Sequence, residues 1–221
     1  MGTKLTFKDW LFATRPWSFP ASAMPAIVAY LYVWQTSSEP KNWLLGVLAV
    51  LGAVILHAGG NLISDYHDFK YGVDREGVPG SDNLTSGRFS IKQVLTFGLV
   101  LVAIATLLGF FLLAQTGFNL IWMGLVGVVA ALFYYLFKFK ALGDLLIFIV
   151  YGPSIMLGVG YVMTGAIDWT LVLISLPIAF ITVNILHSNN TRDIESDGQA
   201  KITTFAMLIG VKASIWQYII L

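Results

Sequence analysis

Apolar residues fall into seven long blocks separated by short polar segments. The blocks run roughly Trp17–Gln35, Trp43–Ser64, Ile91–Gln115, Phe118–Phe137, Ala141–Met163, Trp169–His187, and from Thr204 to the last residue, Leu221. A helix rises 1.5 Å per residue, so about 20 apolar residues cross the hydrocarbon of a bilayer. The pattern predicts an all-α polytopic bundle of about seven membrane-spanning helices. Pro20 and Pro25 in the first block are tolerable where neighbouring helices satisfy the freed carbonyls, and Gly152-Pro153 is expected to interrupt the fifth. Residues 1–15 alternate charge with Trp10 and phenylalanine, as an interfacial segment does.

The polar segments are unequal. Eight of the twelve acidic residues lie in two of them, 65–82 and 193–197. Asn61, Asp65 and Asp68 stand i, i+4, i+7 and share one face if the second helix continues through them. Asn189, Asp193 and Asp197 stand i, i+4, i+8 at the end of the sixth block. Asn61 and Asp65 precede Asn189 and Asp193 by the same offset, which suggests an internal duplication. Basic residues set the orientation. With the N-terminus inside, eleven lysines and arginines fall in inner segments and only Lys41 in an outer loop. Both acidic segments and the basic hinge Lys138-Phe139-Lys140 are then cytoplasmic, in the cell (inner) membrane if the source is prokaryotic.

Composition agrees: 57% of residues are hydrophobic and 11% charged. Soluble domains carry about 25% charged residues. Acidic and basic residues nearly balance, so nothing favours a nucleic-acid partner. Cysteine is absent, which excludes disulfide and thiol chemistry. Carboxylates at the mouth of a membrane helix are costly without a cation. Hard oxygen ligands point to Mg²⁺, which commonly bridges one or two carboxylates to a phosphate. Arginines and lysines among the acids suit a diphosphate, whose lipid tail would lie between the helices. Aromatic residues (Phe97, Phe110, Phe111, Phe133, Tyr134, Tyr135, Phe148, Tyr151) would suit a polyprenyl chain and an allylic cation. His57, His67 and His187 have no metal-ligand spacing and are expected to be structural or interfacial.

Several short motifs carry a resemblance. They are Arg15-Pro16, Asn61-x-x-x-Asp65-Tyr66-x-Asp68, Gly72-Val73-Asp74, Ser86-Gly87-Arg88, Leu142-Gly143-Asp144, Tyr151-Gly152-Pro153 and Asn189-Asn190-x-Arg192-Asp193-x-x-x-Asp197. Together they resemble the UbiA superfamily of intramembrane aromatic prenyltransferases, in family order over nearly the whole chain. Within it, the chain resembles the branch that prenylates 1,4-dihydroxy-2-naphthoate in menaquinone biosynthesis. The 4-hydroxybenzoate enzymes usually carry a further Asp where this chain has Leu62. The family fold has nine spans, so the resemblance implies a single prenyltransferase domain over 1–221 that lacks its C-terminal helices.

The resemblance also implies an activity: Mg²⁺-dependent transfer of a polyprenyl group from its diphosphate to an aromatic acceptor. Asp65, Asp68, Asp193 and Asp197 would hold the metal. Asn61, Arg88, Asn189, Asn190, Arg192, Lys138, Lys140 and Lys201 would hold the diphosphate. Asp68, Asp74 and Asp144 are candidates for orienting or deprotonating the acceptor. The alternatives are another acceptor, 4-hydroxybenzoate or a glyceryl phosphate lipid, or a membrane transporter with a carboxylate cation site. A transporter would place its acids near the bilayer midplane rather than at one surface.

Overall fold

The computed structural model describes residues 4–221. Its helices are α1 Phe7–Ala13, α2 Pro20–Thr36, α3 Trp43–Lys70, α4 Asp82–Thr85, α5 Ile91–Thr116, α6 Leu120–Lys138, α7 Gly143–Ile149, α8 Ile155–Thr164, α9 Thr170–Arg192, α10 Ile194–Gln199 and α11 Phe205–Ile220. Among the described residues the only β feature is an isolated bridge between Lys140 and Thr203. Five helical rods are long and apolar enough to cross a membrane: α3, α5, α6, the continuous rod Gly143–Thr164, and α9. This is the architecture of a multi-pass membrane protein.

The seven apolar blocks all become helices, but several details differ from the sequence expectation. The helix of the second block runs on to Lys70 rather than ending near Ser64, because its polar C-terminal turns still bury one face: Asp65 and Asp68 are both buried. Gly152-Pro153 does not interrupt the fifth block. Val150–Ser154 forms a π turn, and the wider turn accommodates a proline that lacks an N–H. The seventh block yields a 16-residue helix with a non-helical break at Gly210, shorter than a full span. The first block gives a 3₁₀ turn, Pro16–Ser18, before the 17-residue α2.

Helix α3 is the axis of the bundle and packs on α2, α5, α6 and α8. Small residues permit this. A side chain at Gly59 would meet Val102 Cγ2 at 2.8 Å and the Gly98 carbonyl at 3.0 Å, so α3 and α5 cross almost backbone to backbone. Gly60, one step round, faces Ala131 of α6 at 3.3 Å. Close approach at small residues is how helices associate where water supplies no driving force. The main core lies where α2 and α8 meet and includes Ala26, Ala29, Val33, Met156 and Met163. At one end the chain turns tightly: the Asn42 N–H donates to the Met163 carbonyl at 2.8 Å and Tyr161 Oη to the Thr116 carbonyl at 2.9 Å. At the other end gather α1, the C-terminus of α3, the 71–90 loop, the end of α6, the end of α9, and α10.

Candidate active site

The polar end opens into one large cavity of about 1980 Å³ that runs down between the helices. The helices that meet there carry their polar residues at their ends, so the mouth is charged and the shaft apolar. The mouth presents Asp68, Asp74, Arg88, Lys138, Asn189, Asn190, Arg192, Asp193 and Asp197. The shaft is lined chiefly by small and aliphatic residues of α3, α5, α6 and α8, such as Leu56, Ala105, Leu112, Val128 and Val159. The aromatic wall is thinner than expected. Phe110, Tyr134 and Tyr151 line the cavity, whereas Phe97 packs on Trp10, Tyr135 stacks on His67 and Phe148 lies against Phe180.

The two acid motifs do meet across this mouth, though not on equal terms. Asp68 accepts from Lys138 Nζ at 3.1 Å with both oxygens, tying α3 to α6. Asp65 points the other way, into protein. Its carboxylate is ion-paired with Arg15 and accepts from Ser81 Oγ at 2.5 Å and Asn83 Nδ2 at 2.7 Å. It is 1% exposed and clasps the N-terminal segment to the 71–90 loop. Asn61 serves the same clasp, donating to the Thr14 carbonyl and Ser18 Oγ, each at 2.9 Å. In the second motif the helix stops at Arg192. Asp193 caps it, and a short α10 restarts the chain. The expected single face through Asp197 is therefore a turn, closed by the Asp197 N–H on the Asp193 carbonyl at 2.8 Å, and it still buries Asp197. Asp193 is held by Arg192 at 2.6 Å.

The cations divide likewise. Lys138 and Arg192 line the mouth; Arg88 does too, paired with Asp9 of α1. Lys140 and Lys201 are exposed and off the lining, because their segment is spent on backbone pairing: the Ala141 N–H donates to the Thr203 carbonyl at 2.9 Å. Asn190 faces the cavity and donates to Asp144 Oδ1 at 3.4 Å, and Asp144 Oδ2 meets His187 Nδ1 at 2.6 Å. Asp144 is thus behind the wall, where it orients Asn190 and meets the buried His187.

Residues absent from the expected site include Arg15, Ser81, Asn83 and Arg75. Arg75 donates to the Gly72 carbonyl at 2.9 Å and to Gln199 Oε1 at 2.6 Å, joining the first acidic loop to α10 across the mouth. No sequence spacing marks such long-range partners.

The carboxylates crowd one another. Burial pushes Asp74 up to about 7, and the neighbouring Asp68 and Asp65 add to it. Burial likewise raises Asp197 to about 6, opposed by Lys138 and reinforced by Asp193 and Asp68. A cation would relieve this repulsion. Among the described residues no three acidic or histidine side chains converge on one point. Mg²⁺ does not require that, since it is held by one or two carboxylates with water and phosphate oxygens. The oxygen donors at the mouth therefore fit Mg²⁺ held jointly with an anionic ligand: Asp68, Asp74, Asp193 and Asp197 line the cavity, two of them paired with Lys138 and Arg192, whereas Asp65 is off the lining.

Asp74 yields a prediction. Its folded-state pKa lies above the ordinary 3.8, so between about pH 4 and pH 7 the folded protein holds a proton that the unfolded chain has released. Stability falls as pH rises through that window and stays lower above it. Asp74→Asn keeps the site neutral. In detergent without divalent cations, the variant's thermal midpoint should rise relative to wild type from pH 4 to pH 7 and hold that lead at pH 8. A constant difference at all pH values would contradict the assignment.

A helical membrane protein with a charged mouth over an apolar shaft is the class defined by fold and site. The chain belongs to the UbiA prenyltransferase family, whose model matches residues 22–221. It is 35% identical to the UbiA prenyltransferase domain-containing protein 1 homolog of Drosophila melanogaster, over 96% of this chain and 61% of that protein. The chain thus spans about three fifths of the length of the curated relatives it matches. Two solved structures share the fold. A UbiA homolog from Archaeoglobus fulgidus bound to DMAPP and Mg²⁺ has a TM-score of 0.68 at 15% identity, covering 96% of this chain and 73% of that one. A digeranylgeranylglyceryl phosphate synthase has a TM-score of 0.65 at 21% identity, covering 96% and 71%.

Proposed function

We propose that the full-length protein transfers a polyprenyl group from its diphosphate to an aromatic acceptor, 1,4-dihydroxy-2-naphthoate, with Mg²⁺, as a step of menaquinone biosynthesis. The observation that carries this reading is the single cavity whose charged mouth leads directly into an apolar shaft. Such a shape takes an amphiphile with an anionic head and a hydrocarbon tail. The DMAPP and Mg²⁺ named for the fold neighbour from Archaeoglobus fulgidus support the same class of head group. The acceptor and the branch rest on the motif pattern of the sequence.

Asp68 and Asp74 from one half and Asp193 and Asp197 from the other would hold Mg²⁺ with the diphosphate. Lys138, Arg88 and Arg192 neutralise the remaining charge, and Asn189 and Asn190 donate to its oxygens. Bound Mg²⁺ would supply Lewis-acid stabilisation of the departing diphosphate. The shaft excludes water from the allylic centre, and the rings of Tyr134 and Tyr151 face the space where positive charge develops. The excess of basic residues at this end supports a cytoplasmic mouth.

The test is a membrane assay of the full-length protein with labelled geranylgeranyl diphosphate and a panel of acceptors: 1,4-dihydroxy-2-naphthoate, 4-hydroxybenzoate and a glyceryl phosphate lipid. A prenylated naphthoquinone product is expected; EDTA should abolish it and added Mg²⁺ restore it. Product with a different acceptor would replace the branch while keeping the chemistry. No product with any acceptor would favour a transporter.

A further inference from the structure

One turn below Asn61, on the same face of α3, His57 lines the cavity wall with Ser18, Ser22 and Tyr151. Two serine hydroxyls flank its ring. Ser22 Oγ lies 3.2 Å from the Phe19 carbonyl and Ser18 Oγ 2.8 Å from the Arg15 carbonyl, so each hydroxyl proton is committed to its own backbone turn. A hydroxyl has only one proton to give. With its own proton on the Phe19 carbonyl, Ser22 Oγ can accept from Nδ1, 3.0 Å away, and that tautomer leaves a lone pair on Nε2. The nearest polar neighbour of Nε2, Ser18 Oγ at 3.5 Å, already receives Asn61 Nδ2. Tyr151 sits edge-on to the imidazole at 5.1 Å, and no carboxylate among the described residues bonds to the ring.

In that tautomer His57 is a bare imidazole base in the wall of the cavity, about 6 Å below Asn61 and about 16 Å below Asp68 along the helix axis. A diphosphate held at the mouth points its C1 down the shaft toward this level. We propose that His57, with hydrogen on Nδ1 and a lone pair on Nε2, is the catalytic base of the transfer, and that the hydroxylated ring of the acceptor docks against Ser18, Tyr151 and His57. The inference rests on the prenyl transfer proposed above. In the step, the acceptor's hydroxyl proton moves to Nε2 while the ring carbon that bears the carboxylate bonds C1. The C1–O bond breaks and its electron pair leaves with the diphosphate. The β-keto carboxylate so formed then loses CO₂, whose bonding pair returns to the ring, and the ring oxygen takes back the Nε2 proton. The net exchange is one carboxylate, released as CO₂, for one prenyl group.

Two measurements on the full-length protein test this. The first needs no metal and no turnover: ¹⁵N NMR of histidine-labelled protein in detergent, with 1,4-dihydroxy-2-naphthoate as the probe. His57 should show a protonated Nδ1 and an unprotonated Nε2, and the Nε2 resonance should shift when the probe is added. A protonated Nε2, or one indifferent to the probe, overturns the proposal. The second is His57→Asn, whose side-chain amide keeps the donor toward Ser22 but removes the base. We expect kcat to fall by about 10²–10⁴-fold, with the dissociation constant for geranylgeranyl diphosphate and the thermal midpoint nearly unchanged. A merely structural histidine predicts the opposite, with turnover preserved by the asparagine. Product from the wild type together with near-normal turnover of His57→Asn overturns the base and leaves the transfer standing. No product from the wild type with any phenol overturns both.

Discussion

Asp68→Asn and Asp197→Asn should each lower turnover of the full-length protein by about 10²–10³-fold, the usual cost of removing one preorganised charge-stabilising group. These two carboxylates come from opposite halves of the chain, are 6% and 3% exposed, and both face the cavity mouth. Asparagine preserves their volume and removes the charge that a cation would neutralise. The loss should not come from unfolding at Asp197. Burial already pushes that group up to about 6, so a neutral amide is as well accommodated there as the carboxylate, and the metal-free thermal midpoint should hold or rise. Asp193→Asn should cost less, because its partner is Arg192 at the rim. Lys140→Ala and Lys201→Ala, off the lining, should leave turnover close to wild type. Prenyl transfer assayed at saturating Mg²⁺ measures all five. Near-normal turnover of both Asp68→Asn and Asp197→Asn would remove the metal and diphosphate reading of the mouth.

Arg15→Ala should be the most destabilising substitution at the clasp. Asp65 is buried, and among the described residues Arg15 is its only cationic partner. Removing one member of a buried pair strands the other charge, at a cost of about 3–5 kcal/mol. Arg15 is itself partly exposed, which places the expectation at the lower end. Asp65→Asn in the Arg15→Ala background should recover a substantial part, because Ser81 and Asn83 can still bond a neutral amide. Urea or thermal unfolding of the two single variants and the double variant completes the cycle. Additive losses would mean that the pair does not couple. Because the clasp joins the N-terminal segment to the loop over the mouth, the Arg15 variant should also bind the prenyl diphosphate more weakly.

Much of the fold was legible along the chain. Seven apolar blocks became helices near their expected positions, although five rods rather than seven are long and apolar enough among the described residues to cross a bilayer. The two acid motifs were legible as well, because clustering at helix ends survives any reasonable packing. What failed is instructive. Asp65 and Asp68 look equivalent in sequence, yet one faces the protein and the other the cavity; three residues apart on a helix they lie only about 60° from each other, and only the neighbours decide which of the two directions is the cavity. Lys140 and Lys201 are basic residues near an acidic motif, but a backbone pairing at Ala141 and Thr203 carries them off the lining. Most of the aromatic wall likewise proved to be packing.

Sequence by itself therefore determined the class, the membrane-spanning helices, the pairing of two acid-rich ends and the family motifs, because each depends on local composition or short spacing. Tertiary structure alone decided which carboxylates share the cavity, that Arg15 neutralises Asp65, that Arg75 bridges the halves, and that His57 meets two serines from the preceding turn and helix. Those contacts join residues tens to more than a hundred positions apart. No periodicity records them, and they exist only once the small faces at Gly59, Gly60 and Gly98 let the helices close.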